Sequence, residues 1–298
     1  MTTFLQLTTA GLALGALYAL TALGFVVIYR ASQVFNFAHG ELLTTGAFLM
    51  TTMCGVGLPW PLALAATMLA TGALAAVIER GVLRPLVGRP VFVTVIATIF
   101  IGLLLREGVH VFWGTDVRGM PTPWETTRAF HVGGVSILAN ALAALIAGFL
   151  GLGGFFLLFH RTRLGIAMRA SASDQETALA LGIPVGRVFA VTWFIAGAYA
   201  ALAGVFLAMF PRQLDPNLGF VALRAFPAVV VGGLTSPLGT VIAGLLLGLL
   251  EMMAQGYVNP ILGDFGDNFH EVFAYVVMIA FLMVRPYGLL GHRDVKRA

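Results

Sequence analysis

The chain has 298 residues, of which 59% are hydrophobic and 10% charged, with a mean hydropathy of +0.94. Soluble domains carry about 25% charged residues, so a water-soluble globule is excluded and lipid is the solvent that fits. The net charge of +4 does not point to nucleic acid, because the basic residues fall between apolar stretches, as membrane orientation requires.

Residues 1–29, 42–78, 129–160, 188–211 and 225–250 contain no Lys, Arg, Asp or Glu. A transmembrane helix needs roughly 20 apolar residues to cross about 30 Å of hydrocarbon. The first run has no basic residue ahead of it and is too long for a cleaved signal peptide. Helix is the expected structure throughout, since hydrocarbon offers no partner to an unpaired backbone group. The chain therefore reads as one all-α domain over 1–298, a polytopic helical bundle. Its spans are expected at about 5–29, 37–56, 60–79, 91–113, 137–159, 188–210 and 269–286. The stretch 220–256 breaks at Gly232-Gly233 and again at Ser236-Pro237-Leu238-Gly239. Its first piece, about 223–234, is too short to span, and its second, 238–256, is long enough. A broken or re-entrant pair, or two short spans, satisfies this pattern. Small residues recur at helical spacing in Gly11/Gly15, Gly197/Ala201, Ala200/Gly204 and Gly244/Gly248, which predicts close helix packing.

Arg30, then Arg80, Arg84 and Arg89, then Arg161, Arg163, Arg169 and Arg187, then Arg285, Arg293, Lys296 and Arg297 form four basic clusters. Placing all four in the cytoplasm puts 12 of the 17 basic residues on one side. The other side then holds Arg118, Arg128, Arg212 and Arg224 with Asp116, Glu125, Asp215, Asp264, Asp267 and Glu271. This bias predicts an external N-terminus and a cytoplasmic C-terminus.

The second span opens on an unusually polar stretch, Asn36-Phe37-Ala38-His39-Gly40-Glu41. Asn36 is a candidate cap for the free backbone N–H groups of the first turn. Glu41, Thr44 and Thr45 share one helix face. An ionisable group at this depth faces a partner, a headgroup region or a water-filled path. Three roles stay open for Glu41: a headgroup-level anchor beside Arg30 or another base, an ion pair lining the pathway, or a direct contact to solute. Segments 36–48 and 225–239 are short, polar or Gly/Pro-broken stretches in corresponding halves of the chain. Such breaks are the expected lining of a transport pathway. Its candidate residues are Asn36, His39, Glu41, Thr44, Thr45, Ala228, Gly232 and Gly233.

Between Arg161 and Arg187 lies the longest polar segment. Ser173-Asp174-Gln175-Glu176 has the form of a capping box, with Ser173 as cap and Glu176 reaching back to it. Gly182 and Pro184 then end a helix of about 174–181, whose apolar positions are Ala178, Leu179 and Leu181. Among the other charges, Arg106 is expected to snorkel outward, Glu79 and Arg80 to act as interfacial anchors, and Glu251 to form an interhelical salt bridge. His110, His131, His160 and His292 fall near membrane edges or loops and are given no role. The single Cys54 excludes a disulfide framework and a cysteine zinc site. The chain has no phosphate-binding GxxxxGK[ST] loop, HExxH or nucleophile elbow, so neither an enzyme, a metal nor a cofactor is expected.

In chain order, Gly15-Ala16-Leu17-Tyr18-Ala19-Leu20, Asn36-Phe37-Ala38-His39-Gly40-Glu41, Arg163-Leu164-Gly165 through Gly182-Ile183, and Val231-Gly232-Gly233-Leu234 carry a likeness. Over essentially the whole chain they resemble the LivH-type permeases of branched-chain amino acid importers. The resemblance implies a bacterial inner-membrane permease that moves a small polar solute. Its implied partners are a related second permease in a heterodimer, two cytosolic ATP-binding subunits and a periplasmic substrate-binding protein. The helix with Glu176, Ala178, Ala180 and Gly182 resembles the EAA-type coupling helix that docks into the ATPase, with Thr177 where the stricter pattern has alanine. Ser173, Glu176, Ala178 and Gly182 are the expected coupling residues. Two other functions compete: an ion-coupled secondary transporter using His39 or Glu41, which needs no organised helix at 173–182, and the same scaffold carrying urea, amides, aromatic acids or dicarboxylates.

Overall fold

The computed structural model describes residues 2–132, 135–263 and 269–291. The C-terminal basic residues Arg293, Lys296 and Arg297, and also His292, Asp264 and Asp267, lie outside the described residues. An all-α bundle is what forms, with six helices long and apolar enough to cross a membrane among the described residues.

Helix α1 (Thr2–Ser32) runs through the centre of the bundle, buried on every side from Gly11 to Ile28. A helix apolar all round has no polar face to show water and belongs inside other helices. It is followed by α2 (His39–Gly55), α3 (Trp60–Ile78) and α4 (Val91–Trp113). Between α3 and α4 the chain continues through a π turn and a 3₁₀ turn to Leu86. A β-hairpin, β1 (Ala129–Val132) with β2 (Val135–Leu138), pairs Phe130 with Ile137. Then come α5 (Ala139–Arg161), α6 (Arg163–Ser173), α7 (Gln175–Ala180) and α8 (Val185–Leu207). The chain ends with α9 (Gly219–Gly232), α10 (Pro237–Met253), α11 (Asn259–Leu262) and α12 (Phe269–Val284).

Helices stand at all seven expected positions, with boundaries shifted by a few residues, but α2 and α12, of 17 and 16 residues, are shorter than the six membrane-length helices. The hairpin and α6 were not anticipated. The expected small-residue contacts form between α1 and α10. A Cβ on Gly15 would stand 2.8 Å from the Leu245 Cα, and one on Gly244 2.8 Å from the Ala19 Cα. No side chain fits there, so the two backbones touch. Gly197 meets Thr71 and Ala75 of α3 in the same way.

Among the described residues, the first three basic clusters gather at one end of the bundle. Arg84, past α3, donates to the Gly186 carbonyl at the start of α8. Gln175 donates to the Ala31 carbonyl of α1 at 3.2 Å. Arg30 and Arg169 both lie over the Phe159 ring. The opposite end carries the hairpin, Trp60 bonded to the Pro121 carbonyl, and Asn140 bonded to the Met209 carbonyl.

The stretch 220–256 is resolved as one half-length helix followed by a full one. Helix α9 has 14 residues, about 21 Å at 1.5 Å per residue. A turn at the arginine-rich end, beside Arg30 and Arg169, leads into α10, whose N-terminus is capped by Ser236 accepting the Gly239 N–H at 3.1 Å. Helix α10 and its continuation reach Leu262, 26 residues in all. The chain after α12 closes over this turn, with Leu289 donating to the Val231 carbonyl at 2.7 Å.

Candidate functional site

The polar stretch after α1 explains why α2 starts inside the bundle. Asn36 Oδ1 accepts the Ala38 N–H at 3.0 Å, and the Asn36 carbonyl accepts the His39 N–H at 3.2 Å. The chain thus folds back alongside α1 before helix begins, and His39 packs against Gly24 and, at 4.6 Å between ring centroids, against Phe25. Asn36 caps the turn before the helix rather than the helix itself. His39 is fully buried, with the Thr21 backbone beside its ring but outside ordinary hydrogen-bond geometry.

Two short helices, α2 of 17 residues and α9 of 14, start back to back at this level. Gly40 in the first turn of α2 lies on the Gly219 carbonyl, where a Cβ would stand 2.5 Å away. From this crossing α9 runs toward the arginine-rich end and α2 toward the other. Glu41, also in the first turn of α2, presents Oε1 to Gly219 at the start of α9. Its carboxylate therefore sits at two helix N-termini, where partial positive charge favours an anion. Arg106 of α4 supplies the full counter-charge by an ion pair to the same oxygen, and its guanidinium stacks on Phe220 at 4.3 Å from the ring centroid. The expectation that Arg106 snorkels outward is corrected: a buried carboxylate nearby outweighs the distant headgroups. A cavity of about 180 Å³ lies beside the pair, bordered by Gly40, Glu41, Phe220 and Leu223.

The other pathway candidates are enclosed by protein. Asn36, His39, Thr44 and Ala228 are completely buried, and Thr45, Gly232 and Gly233 nearly so. Thr44 and Thr45 donate to the carbonyls one turn back, Gly40 and Glu41, at 3.3 and 2.7 Å. Gly232 and Gly233 seat the tight contacts with α10 and residues 287–291.

At the arginine-rich end the polar segment forms two helices. Thr162 caps α6, accepting the Gly165 N–H at 3.1 Å. The capping box at Ser173 is corrected by one residue. Ser173 closes α6, donating to the Arg169 carbonyl at 3.1 Å. Asp174 caps α7, its carboxylate accepting the Thr177 N–H at 3.0 Å and the Thr177 hydroxyl at 2.7 Å. Glu176 is exposed and does not reach back. Asp174 wins because two helices meet there, and only a residue with extended φ/ψ can end one and start the next. Gly182, at φ +80°, ends α7 as expected, with the Ile183 N–H on the Ala178 carbonyl at 2.9 Å. The outward face is also corrected. Ala178 is 2% exposed and packs on Ala31, Val185 and Phe189, whereas Leu179 and Leu181 are 58% and 76% exposed.

Two further carboxylates depart from expectation. Glu79, read as an interfacial anchor, is buried and takes Arg84 in a two-pronged pair at 2.8 and 3.2 Å. Glu251, expected in a salt bridge, instead accepts the Tyr18 hydroxyl of α1 at 2.9 Å. It borders a cavity of about 420 Å³ at the end opposite the arginines, which also touches Arg212, Arg224 and Glu271. Glu271 bridges both arginines, with Arg212 at 2.6 Å on one oxygen and Arg224 on the other. Sequence reasoning placed these three groups on one side but had no signal that they meet.

Comparison with known proteins follows from this geometry. The chain is 33% identical to the high-affinity branched-chain amino acid transport system permease protein BraD of Pseudomonas aeruginosa, covering 99% of this chain and 98% of that protein. It is 30% identical to the corresponding permease protein LivH of Escherichia coli K12, over 99% and 97%. To the probable branched-chain amino acid transport permease protein LivH of Methanocaldococcus jannaschii it is 29% identical, over 92% and 89%. No solved structure matches the chain. Residues 7–282 match the family described as branched-chain amino acid transport system / permease component, and with six membrane-length helices around a broken-helix junction the chain belongs to that permease family.

Proposed function

We propose that the chain is the membrane-spanning subunit of an ABC importer that carries branched-chain amino acids inward. It works with a related second permease, two cytosolic ATP-binding subunits that hydrolyse the ATP, and a periplasmic substrate-binding protein. The arginine-rich end then faces the cytoplasm of a bacterial inner membrane, and the start of α1 faces the periplasm.

The observation that carries this reading is α7. A six-residue helix does not hold its shape alone in water, yet this one is fixed by the Asp174 cap, by Gly182 and by Ala178 packed under it. It presents Leu179 and Leu181 outward at the arginine-rich end. An anchored lever with an apolar tip suits docking into an ATPase cleft, and α5, α6 and α8 on either side carry its displacement into the bundle. The coupling role falls to Leu179 and Leu181 as the contact, with Asp174, Ala178 and Gly182 holding them; Glu176 borders the same face.

The solute path is proposed to pass the junction of segments 36–48 and 225–239, where the two short helices leave a cavity beside Glu41. Single cysteines at Phe37 and Leu223, both exposed, in a Cys54-free background are expected to react with a small polar thiol reagent in the assembled importer. Protection at both would move the path elsewhere. The ion-coupled reading leaves unexplained the anchored helix α7, which a transporter working without an ATPase does not need.

The test is uptake of L-leucine, L-isoleucine and L-valine by proteoliposomes, with urea, amides and aromatic acids as the competing panel. ATP-dependent uptake is expected only with all partner subunits present; uptake driven by an ion gradient without them overturns the reading. Leu179→Asp with Leu181→Asp is expected to abolish co-purification of the ATPase while the permease stays folded. Retained ATPase with normal stimulated hydrolysis would remove α7 from the coupling role.

A further inference from the structure

The cavity beside Glu251 holds a charge pattern that the bundle does not need for packing. Glu271 has one negative charge and two guanidiniums on it, Arg212 and Arg224. The two guanidiniums thus share a single bonded carboxylate. On the lining of the same cavity Glu251 has no cationic partner within 4 Å among the described residues; the Tyr18 hydroxyl takes one oxygen, and the other has no hydrogen bond. The Glu251 side chain is 3% exposed and borders the cavity. Asp215, also at the rim, is occupied by its own turn, accepting the Asn217 N–H at 2.7 Å and its side-chain amide at 3.1 Å.

A buried carboxylate without a cation is costly and is kept only where something offsets it. Two guanidiniums that share one carboxylate, and a carboxylate with no cation bonded to it, on the lining of one cavity are the complement of a zwitterion. Leu14, Leu207 and Val221 give the cavity an apolar stretch of wall, beside the polar Gln213, Gln255 and His270. We infer that this cavity is a transit subsite for a free α-amino acid with an aliphatic side chain, its ammonium on Glu251 and its carboxylate on Arg224 and Arg212. Solute binding would then compete with Glu271 for the arginines and loosen α12 from α9, so the subsite is also the place where arrival of solute is felt. The cavity reaches from the loops after α8 down to Tyr18, midway along α1. The inference rests on the importer reading for the identity of the solute, though not for the charge pattern.

The test uses the permease–ATPase complex in nanodiscs without the binding protein, and L-leucine as the probe. Saturation-transfer NMR is expected to detect leucine on the wild type and to lose it in Glu251→Gln. Two analogues separate the contacts: 4-methylpentanoate, without the ammonium, is expected to give a weak signal that Glu251→Gln does not change, and 3-methylbutylamine, without the carboxylate, a weak signal that Glu251→Gln abolishes. In the full importer, Glu251→Gln is expected to lower leucine moved per ATP hydrolysed by about tenfold, the loss of one charge-assisted contact, with Glu251→Asp restoring most of it. Unchanged leucine contacts and unchanged transport in Glu251→Gln overturn the subsite. If the wild-type importer carries no leucine while leucine contacts are still lost in Glu251→Gln, the importer reading fails and the subsite stands. Loss of fold in Glu251→Gln is separated by Arg224→Gln, which must weaken leucine contacts without touching Glu251.

Discussion

Glu41 and Glu251 are carboxylates buried to a similar degree, 7% and 3% exposed, in helices that start and finish at different depths of the same bundle. Glu41 has Arg106, an aromatic ring behind the arginine and two helix N-termini in front. Glu251 has a single hydroxyl and an open cavity. One has a cation bonded to it, although its Oε2 and the Arg106 Nε are buried without a hydrogen bond; the other has no bonded cation and borders a cavity. The difference separates a group that holds the backbone from a group available to a ligand, and neither burial nor residue type makes that distinction.

Removing one partner of the Glu41–Arg106 pair should have the largest effect. Arg106→Met leaves Glu41 buried and uncompensated, at an expected cost of about 3–5 kcal/mol, read as a large drop in thermal stability of the purified permease. Replacing both, as Glu41→Leu with Arg106→Met, is expected to recover most of that loss, because an apolar pair needs no counter-charge; no recovery would mean that Glu41 also serves the two helix ends. At the other carboxylate, Tyr18→Phe should cost about 1–3 kcal/mol by leaving an oxygen unsatisfied. Glu251→Gln should cost less than Tyr18→Phe, since an amide oxygen still accepts the hydroxyl. A stability loss there as large as that of Arg106→Met would dissolve the contrast.

A third carboxylate in water gives the baseline. The Thr177 N–H and hydroxyl hold Asp174 below the usual carboxylate range. Its folded form is thus favoured by ionisation: the contribution is present above about pH 4 and is lost as pH falls through the lowered folded value. Asp174→Asn, or acid, should therefore speed amide exchange across α7 several-fold while leaving the spans untouched, the smallest effect of the series. Exchange in α7 that ignores pH would show that Ala178 packing, not the cap, sets its order.

The spans were legible because hydropathy over 20 residues is a sum that local detail cannot overturn, and the glycine ridges of α1 and α10 because small residues one turn apart have few other uses in lipid. The pairing of Glu41 with Arg106 was not. It joins residues 65 positions apart through a chain reversal at Asn36, and no periodicity encodes where a reversal leaves a side chain. The cap of α7 was misplaced by one residue because Ser173 and Asp174 are both competent caps, and the preceding helix α6 decided between them. The inward face of Ala178 was unreadable for a related reason: six residues make fewer than two turns, too few for an apolar stripe. The hairpin at 129–138 was hidden inside a charge-free run that also feeds α5.

The contact of α1 with α10 also has a consequence in time. These helices are more than 200 residues apart in sequence, and their backbones touch along Gly11, Gly15, Gly244 and Gly248. At synthesis rates of about 5–20 residues per second, roughly 10–45 s separate their emergence from the ribosome. During that interval the groove on α1 that α10 will fill is open to lipid tails or to the insertion machinery, and the central helix is covered on one side only. Assembly therefore includes a late threading of α10 into a waiting slot, and any side chain added at Gly15 or Gly244 blocks that step after most of the chain is already in the membrane.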